Sequence, residues 1–280
     1  MLRRHRRLQS VVSTVRHQDG SLPPRACPLR SMPRHDEPAR NARYLTALPV
    51  YNEARHVVGV LDEVLRFTPD VLVVDDGSTD GTSDVLAARS DIRLVRHPAN
   101  RGYGAALATA FAEALAGGWD GLVTIDCDGQ HQPRLIPEFI RTASDPAQPA
   151  DIISGSRYLD VPPADAAVPV DRRQINQQVT AELNRRLGFA LTDAFCGFKA
   201  YTRHALECLR VREPGYAMPL EVWVQAAAAG LTVAELPVPL IYLDEARSFG
   251  GALDDAATRL DYYRSVLDQA EASVAANDPE

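Results

Sequence analysis

An α/β fold, with a mostly parallel central sheet covered on both faces by helices, is what this sequence predicts, on three observations. Short, continuously apolar stretches recur, and such stretches form strands buried on both sides. Each is followed by a segment with helical apolar spacing, the alternation that a parallel sheet requires. Clusters of polar and acidic residues sit directly after the apolar stretches, at the carboxyl edge where such sheets bind ligands.

The elements follow in order. Residues 44–48 read as a first strand, and Asn52-Glu53-Ala54 opens a helix with apolar positions at Val57, Val58, Leu61, Val64 and Leu65. Residues 71–74 are β-branched apart from Leu72 and read as a second strand. A Ser-Thr-Asp-Gly turn leads into a helix over 82–88, and 92–95 is a third strand. An alanine-rich helix over 102–116 stops at Gly117-Gly118, and 122–125 is a fourth strand. Downstream, Ile152-Ile153 reads as a strand and 160–170 as a loop rich in proline and alanine. Helices are expected over 171–187, from Arg203 and over 220–229, strands over 232–235 and 238–242, and a closing amphipathic helix over 254–267. Residues 192–201 read as irregular. No linker interrupts the chain after residue 44, so a single domain over 44–270 is expected, with residues 271–280 as a disordered tail.

Charge separates the first 43 residues from the rest. They carry ten arginines against Asp19, Asp36 and Glu37, a net of +7 in a chain whose total is −7, so the remainder carries about −14. That argues against nucleic acid as the main partner. The arm is rich in arginine and proline, lacks periodic apolar positions, and is expected to be disordered. Translation starting at Met32 is preferred to a basic arm for an anionic membrane surface. No run approaches the roughly 18 apolar residues of a membrane-spanning helix. The four cysteines are scattered without metal-ligand spacing, which fits a reducing cytoplasm.

The most informative stretch is Asp126-Cys127-Asp128-Gly129-Gln130-His131, at the end of the fourth strand. Acids at i and i+2 of a strand point to the same side, and two hard oxygen ligands there suit Mg²⁺ or Mn²⁺ shared with a substrate phosphate. A solvated Asp-Gly turn is the competing reading. Pro49-Val50-Tyr51 and Asp75-Asp76 fall at the same edge. Asn100-Arg101-Gly102-Tyr103-Gly104 lacks the third glycine of a dinucleotide site and is expected to offer free N–H groups to an anion at a helix start.

Taken together, these clusters resemble the family 2 glycosyltransferases of GT-A fold, particularly the dolichyl-phosphate mannosyl- and glucosyltransferase branch. The resemblance rests on ALPVYNE (47–53), VVDDGSTDGT (73–82), NRGYGAA (100–106), DCDGQH (126–131), GSRY (155–158) and DAFCGFKAY (193–201), in the family's order. It implies the nucleotide-diphospho-sugar transferase fold. It also implies transfer of a hexose, expected to invert the anomeric centre, from a UDP-glucose or GDP-mannose type of donor. On this resemblance the nucleotide is held by Pro49, Tyr51, Glu53, Asp76 and Asp126, and the metal by Asp126, Asp128 and Gln130. Asp128, Arg157 and Asp193 are the catalytic candidates. For Asp76 a turn or helix-capping role competes, for Tyr51 packing on the first helix, and for Arg157 a surface salt bridge.

The acceptor is left between a polyprenyl phosphate at the membrane surface, slightly ahead, and a soluble hydroxyl, for which Asp193 would be the base. If the acceptor is a phosphate, Asp193 orients groups instead. The serine-lysine pair common near the end of lipid-phosphate enzymes is missing, although Arg247 stands there, and Arg172 and Arg173 are candidates to compensate. Lys199, the only lysine in the chain, reads equally as a site residue or a solvated strand residue. The rival classes are a nucleotidyltransferase, which PVYNE does not resemble, and a catalytically silent nucleotide-sugar-binding protein. A cytoplasmic protein, peripheral to the inner face of the membrane, is the expected location.

Overall fold

The structure, a computed structural model, describes residues 11–13, 42–159, 170–241 and 251–276. Within them lie strands β1 (Val11–Ser13), β2 (Tyr44–Val50), β3 (Val71–Asp75), β4 (Arg93–Arg96), β5 (Gly121–Thr124), β6 (Ile152–Ser156), β7 (Lys199–Thr202) and β8 (Val233–Pro237). The helices are α1 (Val57–Val64), α2 (Thr82–Ala87), α3 (Tyr103–Ala116), α4 (Ile136–Ala143), α5 (Val170–Leu187), α6 (Arg203–Cys208), α7 (Met218–Ala228) and α8 (Ala256–Ala276).

The strands form one sheet in the order β1-β8-β6-β7-β5-β2-β3-β4. The pairs β5·β2, β2·β3, β3·β4 and β6·β8 are parallel, while β7 runs antiparallel between β5 and β6. Side chains alternate between two cores, as the pleat demands. Leu45, Leu72, Val74, Leu122 and Ile152 face one, where α3, α5, α6, α7 and α8 pack. Leu48, Val71, Val73, Val123 and Ile153 face the other, covered by α1, α2 and α4. Even the polar α5 contributes a buried stripe, Ile175, Val179, Leu183 and Leu187, at every fourth position.

Several expectations change. Residues 192–201 are not irregular throughout, since Lys199–Thr202 is a central strand. Helix α4, with the short turn of Pro133–Leu135 before it, is an element the sequence reading did not include, and it carries Pro137 as the turn carries Pro133. Both prolines sit at first turns, where a missing N–H costs nothing. Residues 238–241 carry no strand. Val11–Ser13, within the basic arm, pairs antiparallel with β8. Helix α8 runs through Ala276 with Val274 buried, which takes residues 271–276 out of the expected tail. The expected loop over 160–169, Tyr242 and Arg247 lie outside the described residues.

Candidate active site

The carboxyl ends of β2, β3 and β5 open into a cleft of about 510 Å³. Pro49, Tyr51, Glu53, Asp76, Asp126, Asp128, Gln130 and Arg157 all line it. Asp193 does not.

The two acids after β5 arrive by a different route from the one expected. The strand stops at Thr124, Asp126 lies beyond it and residues 127–129 form a bend, so strand alternation does not apply. Their placement comes from contacts instead. Asp126 is wedged against Gly197, where a β-carbon would lie 2.3 Å from Oδ2, and its Oδ1 accepts the Tyr103 hydroxyl at 2.9 Å. Burial, and then the Asp126 charge, push the Tyr103 phenol well above its usual pKa, so it stays a donor. The Asp126 N–H donates to His131 Nδ1 at 3.2 Å, and the Gln130 N–H donates to Asp128 Oδ1 at 2.9 Å. Neither Tyr103 nor His131 had been singled out from the sequence, although both lie within quoted motifs.

The two nucleotide-side motifs are tied to each other. Asn52, at a positive φ of 56°, donates its N–H to Ser78 Oγ at 2.9 Å and accepts the Thr79 N–H at 2.8 Å. The Glu53 N–H reaches Thr82 Oγ1 at 2.9 Å, and the Ala54 N–H reaches Asp80 Oδ2 at 3.1 Å. Tyr51 is 43% exposed and stands at the cleft rather than packing away.

The turn role expected of Asp76 falls to its neighbour Asp75, whose Oδ1 accepts the Ser78 N–H at 2.9 Å, while Asp76 itself faces two ways. It lines the cleft, yet it also accepts the Arg101 N–H at 3.0 Å, the Gly102 N–H at 2.7 Å and a contact of 2.6 Å from His97 Nδ1. Within the first turn of α3, the Gly104 and Ala105 N–H groups donate to the Pro214 carbonyl at 2.7 and 3.3 Å. Most of the donors expected to be free for an anion are therefore taken: four of these backbone groups already have protein acceptors.

Asp193 is fully buried behind Arg157. Its Oδ2 accepts Arg157 Nε at 2.6 Å and its Oδ1 accepts Nη2 at 2.9 Å, a bidentate pair. Asn176 Nδ2 adds a bond at 2.9 Å, and the Arg157 and Phe195 N–H groups add two at 3.2 Å. Burial alone would raise this carboxyl, but the Arg157 charge and these donors reverse that and hold it at about 2. Arg157 is correspondingly held well above its ordinary value despite burial. It is not a surface salt bridge.

Glu235 in the middle of β8 fastens this loop, accepting the Thr192 N–H at 2.9 Å, the Thr192 hydroxyl at 3.0 Å and the Asp193 N–H at 3.2 Å. Burial pushes its carboxyl up to about 6, against the pull of those donors. Lys199 is buried rather than solvated. It donates to the Cys196 carbonyl and lies 5.4 Å from the Trp223 ring centre. Burial depresses its pKa, opposed by Cys196, Asp193 and Asp126.

Further cations face the cleft beside Arg157. Arg172 from α5 and Arg259 from α8 both line it. Arg173 sits 5.9 Å from the centre of the Tyr158 ring, with Arg157 at 5.7 Å. The cleft thus holds a carboxylate pair and a set of guanidinium groups in one space.

Among the described residues no group of three His, Cys, Asp or Glu side chains gathers to hold a metal alone. Two carboxylates on an open cleft fit an ion that completes its shell with water and substrate oxygens, as Mg²⁺ and Mn²⁺ do. Three-ligand protein cages are not what this donor set offers.

The chain is similar to known proteins. The chain is 30% identical over 231 residues to an undecaprenyl-phosphate mannosyltransferase of Micrococcus luteus, covering 78% of this chain and 92% of that one. It is 31% identical to the polyprenol monophosphomannose synthase of Mycolicibacterium smegmatis, over 70% and 76% of the two chains. Among solved structures, it shares its fold with glucosyl-3-phosphoglycerate synthase from Mycobacterium tuberculosis in complex with UDP. That match has a TM-score of 0.63 at 19% identity, over 82% and 80% of the chains. The model of "Glycosyl transferase family 2" matches residues 46–210, which span β2 to the loop after α6 and include the acids after β5 and the Arg157–Asp193 pair. With that match over more than half its length, the chain belongs to glycosyl transferase family 2 and is a glycosyltransferase of GT-A fold.

Proposed function

We propose that this glycosyltransferase moves a hexose from a UDP- or GDP-sugar to a polyprenyl phosphate, with Mg²⁺ or Mn²⁺ at Asp126 and Asp128. The observation that carries the reading is the convergence of Arg157, Arg172 and Arg259 on the cleft that also bears the carboxylate pair. Carboxylates suit a metal-bound diphosphate, and guanidinium groups suit a second anion, the acceptor phosphate. The relatives named for polyprenyl-phosphate substrates support this choice. The fold neighbour has been crystallised in complex with Mn²⁺, UDP and phosphoglyceric acid.

In the proposed reaction an acceptor phosphate oxygen forms a bond to the anomeric carbon as the bond from that carbon to the nucleoside diphosphate breaks. When bound, the metal ion supplies Lewis-acid neutralisation of the charge left on the diphosphate. The rest belongs to the chain. Pro49, Tyr51, Glu53 and Asp76 seat the nucleotide, and Gln130 assists at the acid pair. An acceptor phosphate is already anionic and needs no base, which agrees with a carboxyl held near 2 at Asp193. Asp193 is a positioning residue for Arg157. No described helix is long and apolar enough to cross a membrane, and we place the enzyme peripherally, at the inner face of the membrane.

The test is acceptor choice. The purified chain, given radiolabelled GDP-mannose or UDP-glucose with Mn²⁺, should label undecaprenyl phosphate in vesicles and give solvent-extractable product. Label entering only a water-soluble hydroxyl acceptor such as 3-phosphoglycerate would overturn the lipid assignment while keeping the enzyme class.

A further inference from the structure

We infer that His97 is a positioning residue of the donor site, holding the Asp76 carboxylate in place through Nδ1 while Thr109 holds the other side of its ring. This rests on the proposed reading of the cleft as a nucleotide-sugar site.

His97 follows β4 directly and is only 5% exposed. Its backbone N–H donates to the Asp75 carbonyl at 2.8 Å, which fixes the residue beside the end of β3. Its Nδ1 stands 2.6 Å from Asp76 Oδ1, and its Nε2 stands 2.9 Å from Thr109 Oγ1 on α3. A carboxylate only accepts, so the proton between them belongs to Nδ1. The Thr109 hydroxyl also lies 3.1 Å from the Ala105 carbonyl, within reach of either partner. With both nitrogens occupied, the imidazole cannot rotate. The ring therefore ties the ends of β3 and β4 to the helix that follows the glycine turn.

What it holds is the residue that matters. Asp76 lines the cleft and also gathers the Arg101 and Gly102 N–H groups, so the wall formed by residues 100–102 depends on the direction of this one carboxylate. Backbone donors approach it from the loop side, and His97 is the side chain that restrains it from the sheet side. The bond length of 2.6 Å lies in the charge-assisted range. Removing it leaves Asp76 attached to the loop alone, free to shift with it. Such loosening weakens a pre-formed site without touching the reacting atoms.

The experiment uses two polar substitutions of similar size. In His97→Asn the side-chain amide falls where Nδ1 stands and still donates to Asp76. In His97→Gln it extends to the Nε2 position and meets Thr109 instead. UDP and GDP, each with Mg²⁺, are titrated calorimetrically into the full chain and both variants, with thermal unfolding followed in parallel. The expected result is binding of one nucleotide within threefold of wild type for His97→Asn and at least tenfold weaker for His97→Gln, at similar unfolding midpoints. Equal affinities in the two variants, with wild type binding normally, overturn the inference alone. A wild-type chain that binds neither nucleotide fails the donor-site reading itself and takes this inference with it.

Discussion

Replacing Gly197 with alanine should separate activity from folding. The added methyl would lie 2.3 Å from Asp126 Oδ2 and 2.6 Å from Oδ1. Ordinary contact begins near 3.4 Å, so the carboxylate must retreat by about 1 Å. It has somewhere to go, because Asp126 is 28% exposed on the cleft. The stability cost is therefore modest: one hydrogen bond from Tyr103, about 1 kcal/mol, plus about 1 kcal/mol of local crowding. The catalytic cost is larger, since a 1 Å displacement of a group that must meet the diphosphate typically loses about 100-fold, or about 2.7 kcal/mol of barrier. Sugar transfer with saturating Mn²⁺, measured beside the unfolding midpoint, reads both. Turnover within threefold of wild type would refute the claim that the contact with Gly197 sets the working position of Asp126.

Three other outcomes are expected. Asp193→Asn should leave the Arg157 charge without its buried partner and cost about 3 kcal/mol in denaturant unfolding. The acid limb of the pH–rate profile should survive, whereas its disappearance would restore Asp193 as a base. Glu235, with a folded pKa near 6 against about 4.5 in the unfolded chain, takes up protons on folding. Its contribution is complete below about pH 4.5 and is lost as pH rises through about 6, a change of about 2 kcal/mol. The stability difference between wild type and Glu235→Gln should therefore shift by that amount between pH 4.5 and 7, and a constant difference would contradict it. Arg259→Met should raise the acceptor KM about tenfold and leave the donor KM within twofold; the reverse pattern would move Arg259 to the donor side.

The parallel half of the sheet was legible because β2, β3 and β5 are buried on both faces and so read as unbroken apolar runs. The polar clusters after those runs marked the cleft, and eight of the nine candidate residues line it. Strand β7 was not legible, since a lysine opens it and Gly197 lies two residues before it. Lys199 sits in the core only because the Cys196 carbonyl and the Trp223 face receive its ammonium. The surroundings of Asp193 were hidden for a similar reason. A motif position says that a carboxylate is present, but only the fold shows that Arg157, Asn176 and two backbone N–H groups saturate it. Contacts across long sequence separations, Tyr103 to Asp126 and Pro214 to the start of α3, leave no local periodicity to read.

The central claim is that Asp126 and Asp128 hold a divalent ion against the diphosphate of a nucleotide sugar. It is tested most directly by titrating UDP and GDP into wild type and Asp128→Ala, with Mn²⁺ and again with EDTA. One nucleotide should bind the wild-type chain with Mn²⁺ and lose at least tenfold in affinity on either chelation or substitution, the two losses not adding. Equal binding in all four conditions would contradict it.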